Sequence, residues 1–344
     1  MNAPAAIAPL TVREAAPDEA WVEPFVRAHP DATPFHLPQW SRAIAAGTGQ
    51  RAHLLVAEKA GRVAGLLPLT EVRSPLFGSA LVSVGFGVDG GILADDLSAI
   101  RLLAEEATAF ARRLGCASVE LRGGSAPDGW QRRDGAYAGF ARDLPADEAA
   151  VLDAIPRKQR AEVRRALGYS LDVSIGRDAR PHYRAYSESV RNLGTPVFPR
   201  RLFEAVLDAF DEDADILTVS RDGEVLASVL SLYFRGTVYP FWGGGTRTAR
   251  TARANELMYF ELMRHAVRRG CTRFDFGRSK PGTGAFAFKK NWGFEPRPLT
   301  YASWGETREV NPLNPKYQAK IAAWQRLPLW AANLIGPHIA RGLG

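Results

Sequence analysis

CTRFDFGRSKPGTGAFAFKKNWGF, Cys271 to Phe294, decides how the chain is read. Phe274 and Phe276 alternate with Arg273 and Asp275, the two-residue period of a strand. Pro281, Gly282 and Gly284 break regular structure, so a loop follows. Phe286 and Phe288 alternate with small residues, which predicts a second strand carrying Lys289 and Lys290. The loop would bring Asp275, Arg278, Lys280, Lys289 and Lys290 into one neighbourhood. Mixed charge beside a Gly-rich loop is a common layout for a site. The competing reading is a solvated hairpin with charged edges.

Upstream, Ala254 to Arg269 reads as a helix ended by Gly270, and Thr237 to Trp242 as the strand before it. Between them Gly243-Gly244-Gly245 reads as a Gly loop, or as a plain strand-to-helix turn. Asp215 to Ser220 and Glu224 to Phe234 form a hairpin around Asp222-Gly223, after helices Asp178 to Val190 and Pro199 to Phe210.

The same order occurs earlier in the chain. Helices Trp21 to His29 and Gln39 to Ala46 precede a hairpin of His53 to Ala57 and Arg62 to Thr70, turning at Gly61. Strand Ala80 to Val84, the Gly-rich loop Gly85 to Gly91, helix Ser98 to Leu114 and strand Ser118 to Leu121 follow. Ile100, Leu103, Ala107, Phe110 and Leu114 recur at helical spacing, with Ser98 as cap and Gly115 as stop. The hairpin turn repeats from Gly61 to Gly223, an offset of 162, and Arg113-Leu114-Gly115-Cys116 repeats as Arg268-Arg269-Gly270-Cys271, an offset of 155. One unit is therefore present twice. Residues 1–20 are expected to be frayed, 21–150 to form the first unit, 151–305 the second, and 306–344 a helical tail.

Composition agrees with two globular domains: 344 residues, 46% hydrophobic and 24% charged. Two cysteines, Cys116 and Cys271, fit a reducing compartment and hence the cytoplasm. No leader pattern and no bilayer-length apolar run is found. A net charge of +7 favours anionic partners, whether phosphates, nucleic acid or an anionic membrane face. Much of it lies in Ile155 to Gly168, IPRKQRAEVRRALG, where Pro156 suits a first helical turn. Arg157, Arg160 and Arg164 share one face, with Lys158 and Arg165 beside them. They form either a wall for a phosphate-bearing substrate or a solvated basic helix.

The doubled element order resembles the tandem GNAT-type fold of the Fem transferases and the related BioF2-like acetyltransferase domain, an α/β (α+β) architecture. Phe288-Lys289-Lys290-Asn291-Trp292-Gly293 is similar to that family's aromatic-Lys-x-x-aromatic-Gly motif, and His36-Leu37-Pro38-Gln39-Trp40 to its N-terminal motif. Four longer strings, Ile155 to Arg160, Ser189 to Pro199, Phe274 to Lys290 and Asn311 to Tyr317, resemble the FemAB-like proteins associated with PEP-CTERM/exosortase and exopolysaccharide loci.

The resemblance implies acyl transfer to an amine between two splayed strands, here Thr237 to Trp242 and Cys271 to Phe276. It implies a donor turn at Gly243, Gly244, Gly245, Arg247, Arg250 and Asn255, with Arg253 adding charge. The superfamily's acyl-CoA turn sets an Arg or Gln before its glycines, whereas here the glycines come first. Acyl-CoA and aminoacyl-tRNA therefore both stand as co-substrates, and no tightly bound cofactor is expected.

The residues add an acid–base inventory. His29, His36, His53, His182, His265 and His338 have no metal-like spacing, and no nucleophile elbow is present. Direct attack by the acceptor needs only a base, a positioned donor and a stabilised oxyanion. Lys289 would supply positive charge and Asp275 would orient the amine. A salt bridge from Asp275 to Arg273 or Arg278 is the competing reading. Arg191, Asn192 and Thr195 offer hydrogen bonds to a sugar or peptide acceptor, or form an ordinary helix end; Trp242 is a further expected substrate contact. The tail from Lys316 interleaves Ile321, Trp324, Leu327, Trp330 and Leu334 with basic residues and is broken by Pro328. It packs back on the domains or lies at the inner face of the membrane.

Together these features predict a transferase that moves an acyl or aminoacyl group to an amine or hydroxyl of a glycan, peptidoglycan-type or other envelope precursor, with tRNA as one donor partner. The alternative is a catalytically silent protein that binds an anionic glycan precursor or a partner protein.

Overall fold

The structure, a computed structural model, describes residues 9–125, 127–306 and 315–344. Residues 1–8 of the expected frayed start and 311–314 of the Asn311 to Tyr317 string lie outside them. The first half runs through β1 (Leu10–Ala15), α1 (Val22–Ala28), α2 (Pro38–Thr48), β2 (Arg51–Lys59) and β3 (Arg62–Ser74). It continues with β4 (Gly78–Ser83), β5 (Leu93–Ala94), α3 (Leu97–Leu114), β6 (Ser118–Arg122) and β7 (Gln131–Asp143). The second half has α4 (Arg157–Leu167), β8 (Asp172–Gly176), α5 (Ala179–Asn192), α6 (Arg200–Phe210), β9 (Ala214–Arg221) and β10 (Glu224–Phe234). Then come β11 (Thr237–Gly245), α7 (Ala254–Arg268), β12 (Arg273–Ser279), α8 (Gly284–Asn291) and β13 (Pro296–Gly305), with α9 (Pro315–Arg326) and α10 (Leu329–Ala340) last.

All strands join one mixed sheet in the order β1-β2-β3-β4-β6-β13-β7-β12-β11-β10-β9-β8, with β5 on the side of β3. The order reads alike from both ends. β4 and β11 occupy matching places, each paired in parallel with the strand that follows a long helix. The last strand of each half crosses over: β13 pairs with β6, and β7 pairs with β12. This is the tandem GNAT-like fold, with its halves locked by exchanged strands.

Local chemistry explains the elements. α3 starts one residue earlier than its pattern predicts, because Asp96 rather than Ser98 caps it by accepting from the Ser98 N–H at 2.7 Å. Gly115 ends it at φ 67°. Leu10–Ala15, expected to belong to a frayed terminus, forms β1 along β2. The halves also share a core. Trp40 is fully buried and stacks on Trp242 at 5.8 Å, among Phe35, Phe203 and Phe241. Truncating such a ring costs about 3–5 kcal/mol. α2 meets α6 so closely that a Cβ on Gly47 would lie 2.5 Å from the Leu202 Cα, so only glycine fits there.

Candidate active site

β11 and β12 pair only at Thr237–Arg273 and Val238–Phe274, and then part. Both strands carry a bulge beyond that point: β11 shifts register against β10 between Trp242–Leu230 and Pro240–Ser231, and β12 shifts on its other side. Its register with β7 passes from Asp275–Ala141 to Arg278–Gly139, which leaves one residue extra, and Gly277 takes φ 67°. A bulge of this kind bends a strand and re-aims its side chains. Asp275 and Arg278 thus sit at the mouth of the gap between the strands.

Asp275 does not pair with an arginine. Its Oδ1 accepts from the Gly277 N–H at 2.8 Å, while Arg273 turns to Asp143 at 3.1 Å. Burial holds the Asp275 carboxyl above its usual range, against the Gly277 N–H and the Lys289 charge. Arg278 lies over Tyr137 at 4.5 Å and Tyr301 at 5.5 Å and donates to the Tyr301 hydroxyl.

Lys289 and Lys290 are not on a strand. Residues 284–291 form helix α8, which begins where Thr283 Oγ1 accepts from the Phe286 N–H at 3.3 Å. The two-residue spacing of Phe286 and Phe288 mimics a strand, yet the rings go to different neighbours, Phe286 to Phe140 and Phe288 to Tyr259 and Phe276. Thr283 before Gly-Ala was the overlooked sign of a helix start. The helix buries Lys289 and exposes Lys290. Lys289 Nζ donates to the carbonyls of Gly277 at 3.2 Å and Arg278 at 2.9 Å, so it braces the bulge and keeps a third N–H. Burial pulls its pKa down to about 7, with Asp275 acting in the other direction. The rest of the motif is structural: Trp292 is fully buried, and Gly293 turns at φ 82° where a Cβ would come 2.9 Å from the Pro156 ring.

Sequence reasoning missed Asp89. It projects from the Gly-rich loop after β4 and faces Asp275 and Arg278; burial, then the Asp275 charge, raises its pKa to about 6. An acid between glycines, Gly87-Val88-Asp89-Gly90, was the available sign. The His36 to Trp40 motif holds this loop. The Thr33 N–H donates to His36 Nδ1 at 3.1 Å, so Nε2 carries the hydrogen and donates to the Gly91 carbonyl at 3.1 Å. Thr33 Oγ1 donates to the Asp89 carbonyl at 3.0 Å and Trp40 Nε1 to the Gly85 carbonyl at 3.2 Å. Burial lowers the His36 pKa to about 4, so the clamp stays neutral. Tyr137 and Tyr301, which stack on each other at 5.2 Å with Arg278 against the pair, and Tyr239, whose pKa burial and then Asp275 raise, were also missed. Asp89, Asp275, Arg278, Tyr137 and Tyr239 are packed on several sides but each keeps accessible surface, as groups lining a cleft do.

The other expected residues lie elsewhere. Gly243, Gly244 and Gly245 are not a loop; they end β11, paired with β10. They are glycines because Tyr259, Ser189 and Asn255 crowd them, with a Cβ at Gly244 coming 2.5 Å from Ser189. Asn255 therefore packs against Gly245. The turn itself is 246–253, where Arg247 and Arg250 are exposed and Arg253 pairs with Glu162 of α4 at 2.8 Å. That pair holds the turn against α4, on which Arg157, Lys158 and Arg164 are all exposed. Arg160 departs from them: its guanidinium folds onto Asp153 at 3.0 Å and the Ile155 carbonyl. Trp242 is in the core. Arg191 donates to the Gln325 carbonyl at 3.1 Å, and the Asn192 carbonyl accepts from Gln325 at 3.0 Å, so α9 covers that loop while Thr195 is exposed. Lys280 is half-buried, on the loop before α8.

Residues 155–290 match the family model described as acetyltransferase (GNAT) domain. No curated protein matches the sequence. Among solved structures, FemX is similar with a TM-score of 0.64 at 16% identity, over 89% of this chain and 99% of that one. A tandem GNAT protein from the clavulanic acid biosynthesis pathway has a TM-score of 0.56 at 14% identity, over 88% and 100%. L-PGS from Bacillus licheniformis has 0.53 at 13%, over 91% and 98%. The chain therefore carries the N-acyltransferase type of GNAT fold in doubled form, and the acetyltransferase match falls on its second half.

Proposed function

We propose that the chain transfers an acyl or aminoacyl group to an amine of a cell-envelope or exopolysaccharide precursor, at the cleft between β11 and β12. The observation that carries this reading is the parting of the two strands at a bulge that gathers Asp89, Asp275, Arg278 and Lys289. The exposed edge of β11 offers backbone N–H groups to the donor's carbonyl. Asp89, with its pKa near 6, takes the proton that the acceptor ammonium must lose. Asp275 orients the amine through the oxygen that Gly277 leaves open. The third N–H of Lys289 stabilises the developing oxyanion, and Arg278, oriented by the stacked Tyr137 and Tyr301, holds an anionic part of the substrate. The amine nitrogen bonds to the carbonyl carbon, and the donor's sulfur or ribose oxygen leaves with the electron pair of the broken bond and takes up the second proton that the nitrogen loses.

The exposed basic residues of α4 and of the 246–253 turn, Arg157, Lys158, Arg164, Arg247 and Arg250, are more than one pyrophosphate needs, which favours aminoacyl-tRNA over acyl-CoA as donor. FemX and L-PGS share the fold, which supports an envelope precursor as the acceptor class.

The test is transfer from aminoacyl-tRNA and from acetyl-CoA to amine-bearing precursors, read by mass spectrometry, with copurified ligands identified in parallel. Product from the tRNA donor, lost when salt is raised, is expected. Precursor binding without product from either donor would leave the protein as a binder of anionic glycans.

A further inference from the structure

Helix α10 is built in the reverse sense to a helix that packs on a domain. Its small residues Ala331, Ala332, Gly336 and Ala340 are the buried ones, and a Cβ on Gly336 would come 3.1 Å from the Val197 backbone nitrogen. Its large residues face outward: Trp330 is 72% exposed, Leu334 65% and Ile335 45%. Trp330, Leu334 and His338 follow at four-residue spacing and so share one stripe. Leu193, 68% exposed, ends α5, the helix on which α9 and α10 both pack. Isolated exposed aliphatics are ordinary on a protein surface. A tryptophan and two aliphatics on one helix, with their small neighbours turned inward, are a patch.

The charge around the patch states its partner. Residues 315–344 contain no Asp or Glu, and Lys320, Arg326 and Arg341 are all exposed. Tryptophan and basic side chains around an apolar stripe match the boundary between lipid headgroups and acyl chains. Basic residues there also reach lipid phosphates while their stems stay on apolar surface.

We infer that α9 and α10 dock the protein on the anionic face of a lipid bilayer. Trp330, Leu334 and Ile335 enter the acyl boundary, and Lys320, Arg326 and Arg341 engage the headgroup phosphates. Among the described residues no helix is long and apolar enough to cross a membrane, so the contact is peripheral. The inference does not rest on acyl transfer.

The experiment is flotation of the full chain with vesicles of phosphatidylcholine alone, or of phosphatidylcholine mixed with phosphatidylglycerol. Binding to the mixed vesicles only is expected. It should fall about tenfold or more in Trp330→Ser/Leu334→Ser, and likewise in Lys320→Gln/Arg326→Gln. These side chains are exposed, so melting should not change. Three results would overturn the inference: flotation with neither vesicle, flotation that both double variants retain, or a dimer without flotation that Trp330→Ser/Leu334→Ser dissolves. The last would make the patch an interface between copies.

Discussion

Glu120 on β6 and Asp275 on β12 stand in corresponding places, each two residues past the start of a parallel pairing, Ala80–Ser118 in one half and Thr237–Arg273 in the other. An arginine follows each acid. On β6 it is Arg122, two residues on, and the pair closes at 2.8 Å as an ion pair. Burial works against the Glu120 charge, but the guanidiniums of Arg122, Arg133 and Arg278 together outweigh it and hold the pKa below the usual range. The strand runs without a register shift along β13. On β12 the arginine is Arg278, three residues on, and the added Gly277 turns it away from the acid. There the carboxyl is raised rather than lowered. One inserted residue separates an acid and an arginine that pair from an acid and an arginine that stay apart.

The surroundings follow the same division. In the first half Arg122 also donates to the carbonyls of Val84 and Gly87 at 3.4 and 3.2 Å, and to that of Gly344 at 2.9 Å, while Gly344 packs on the Phe86 ring. That seam is filled by its own loop and by the C-terminal segment. The loop that fills it presents Asp89 to the other half. The first half thereby adds an acid of its own to the surroundings of Asp275 and Arg278.

Four changes and a titration would break or sharpen this comparison. The largest effect is expected from Asp89→Asn, which should lower turnover about 10²- to 10⁴-fold, the usual worth of a general base. Near-normal turnover would return the first half to a purely structural role. Deleting Gly277 should straighten β12, let Asp275 and Arg278 pair as Glu120 and Arg122 do, and cost about 10²-fold in rate through misplacement. A structure of the deletion with the bulge intact would end the argument from one residue.

Lys289→Met should lower turnover about ten- to a hundredfold, one charge-assisted hydrogen bond, and should also lower the melting temperature, because the Gly277 and Arg278 carbonyls lose their donor. Wild-type-like transfer in that variant would remove Lys289 from the site.

The pH profile should be a bell. Activity rises as Asp89 loses its proton near pH 6 and falls as Lys289 loses its own near pH 7. It should change about tenfold per unit outside those limbs, and Asp89→Asn should abolish the acid limb alone. The smallest effect is expected from Lys290→Met, on the exposed face of α8, at less than about twofold.

Much of the architecture was legible. The hairpins at Gly61 and Gly223 and the helices ending at Gly115 and Gly270 follow from alternation, helical spacing and glycine stops, all of them local. The offset of 155 that links those helix ends also links Glu120 to Asp275, so the repeat already held the comparison of the two halves. Of the site, Asp275, Arg278 and Lys289 were named from one stretch because they are close in sequence. α8 was misread because two phenylalanines that serve different neighbours happened to fall two apart. The glycine triplet was misread because the sequence shows that a side chain is missing, not which neighbour takes its space.

The sequence by itself thus determined the doubled unit, its strands and long helices, and the neighbourhood of Asp275, Arg278 and Lys289. It could do so because strand and helix periodicity, capping and turn preference act over a few residues. Only the tertiary structure decided that β7 and β13 change places, that the β12 register slips at Gly277, and that His36 and Trp40 hold Asp89 opposite Asp275. Those outcomes depend on pairing between segments far apart in the chain, where the hydrogen bonds of one strand choose their partner from the whole sheet.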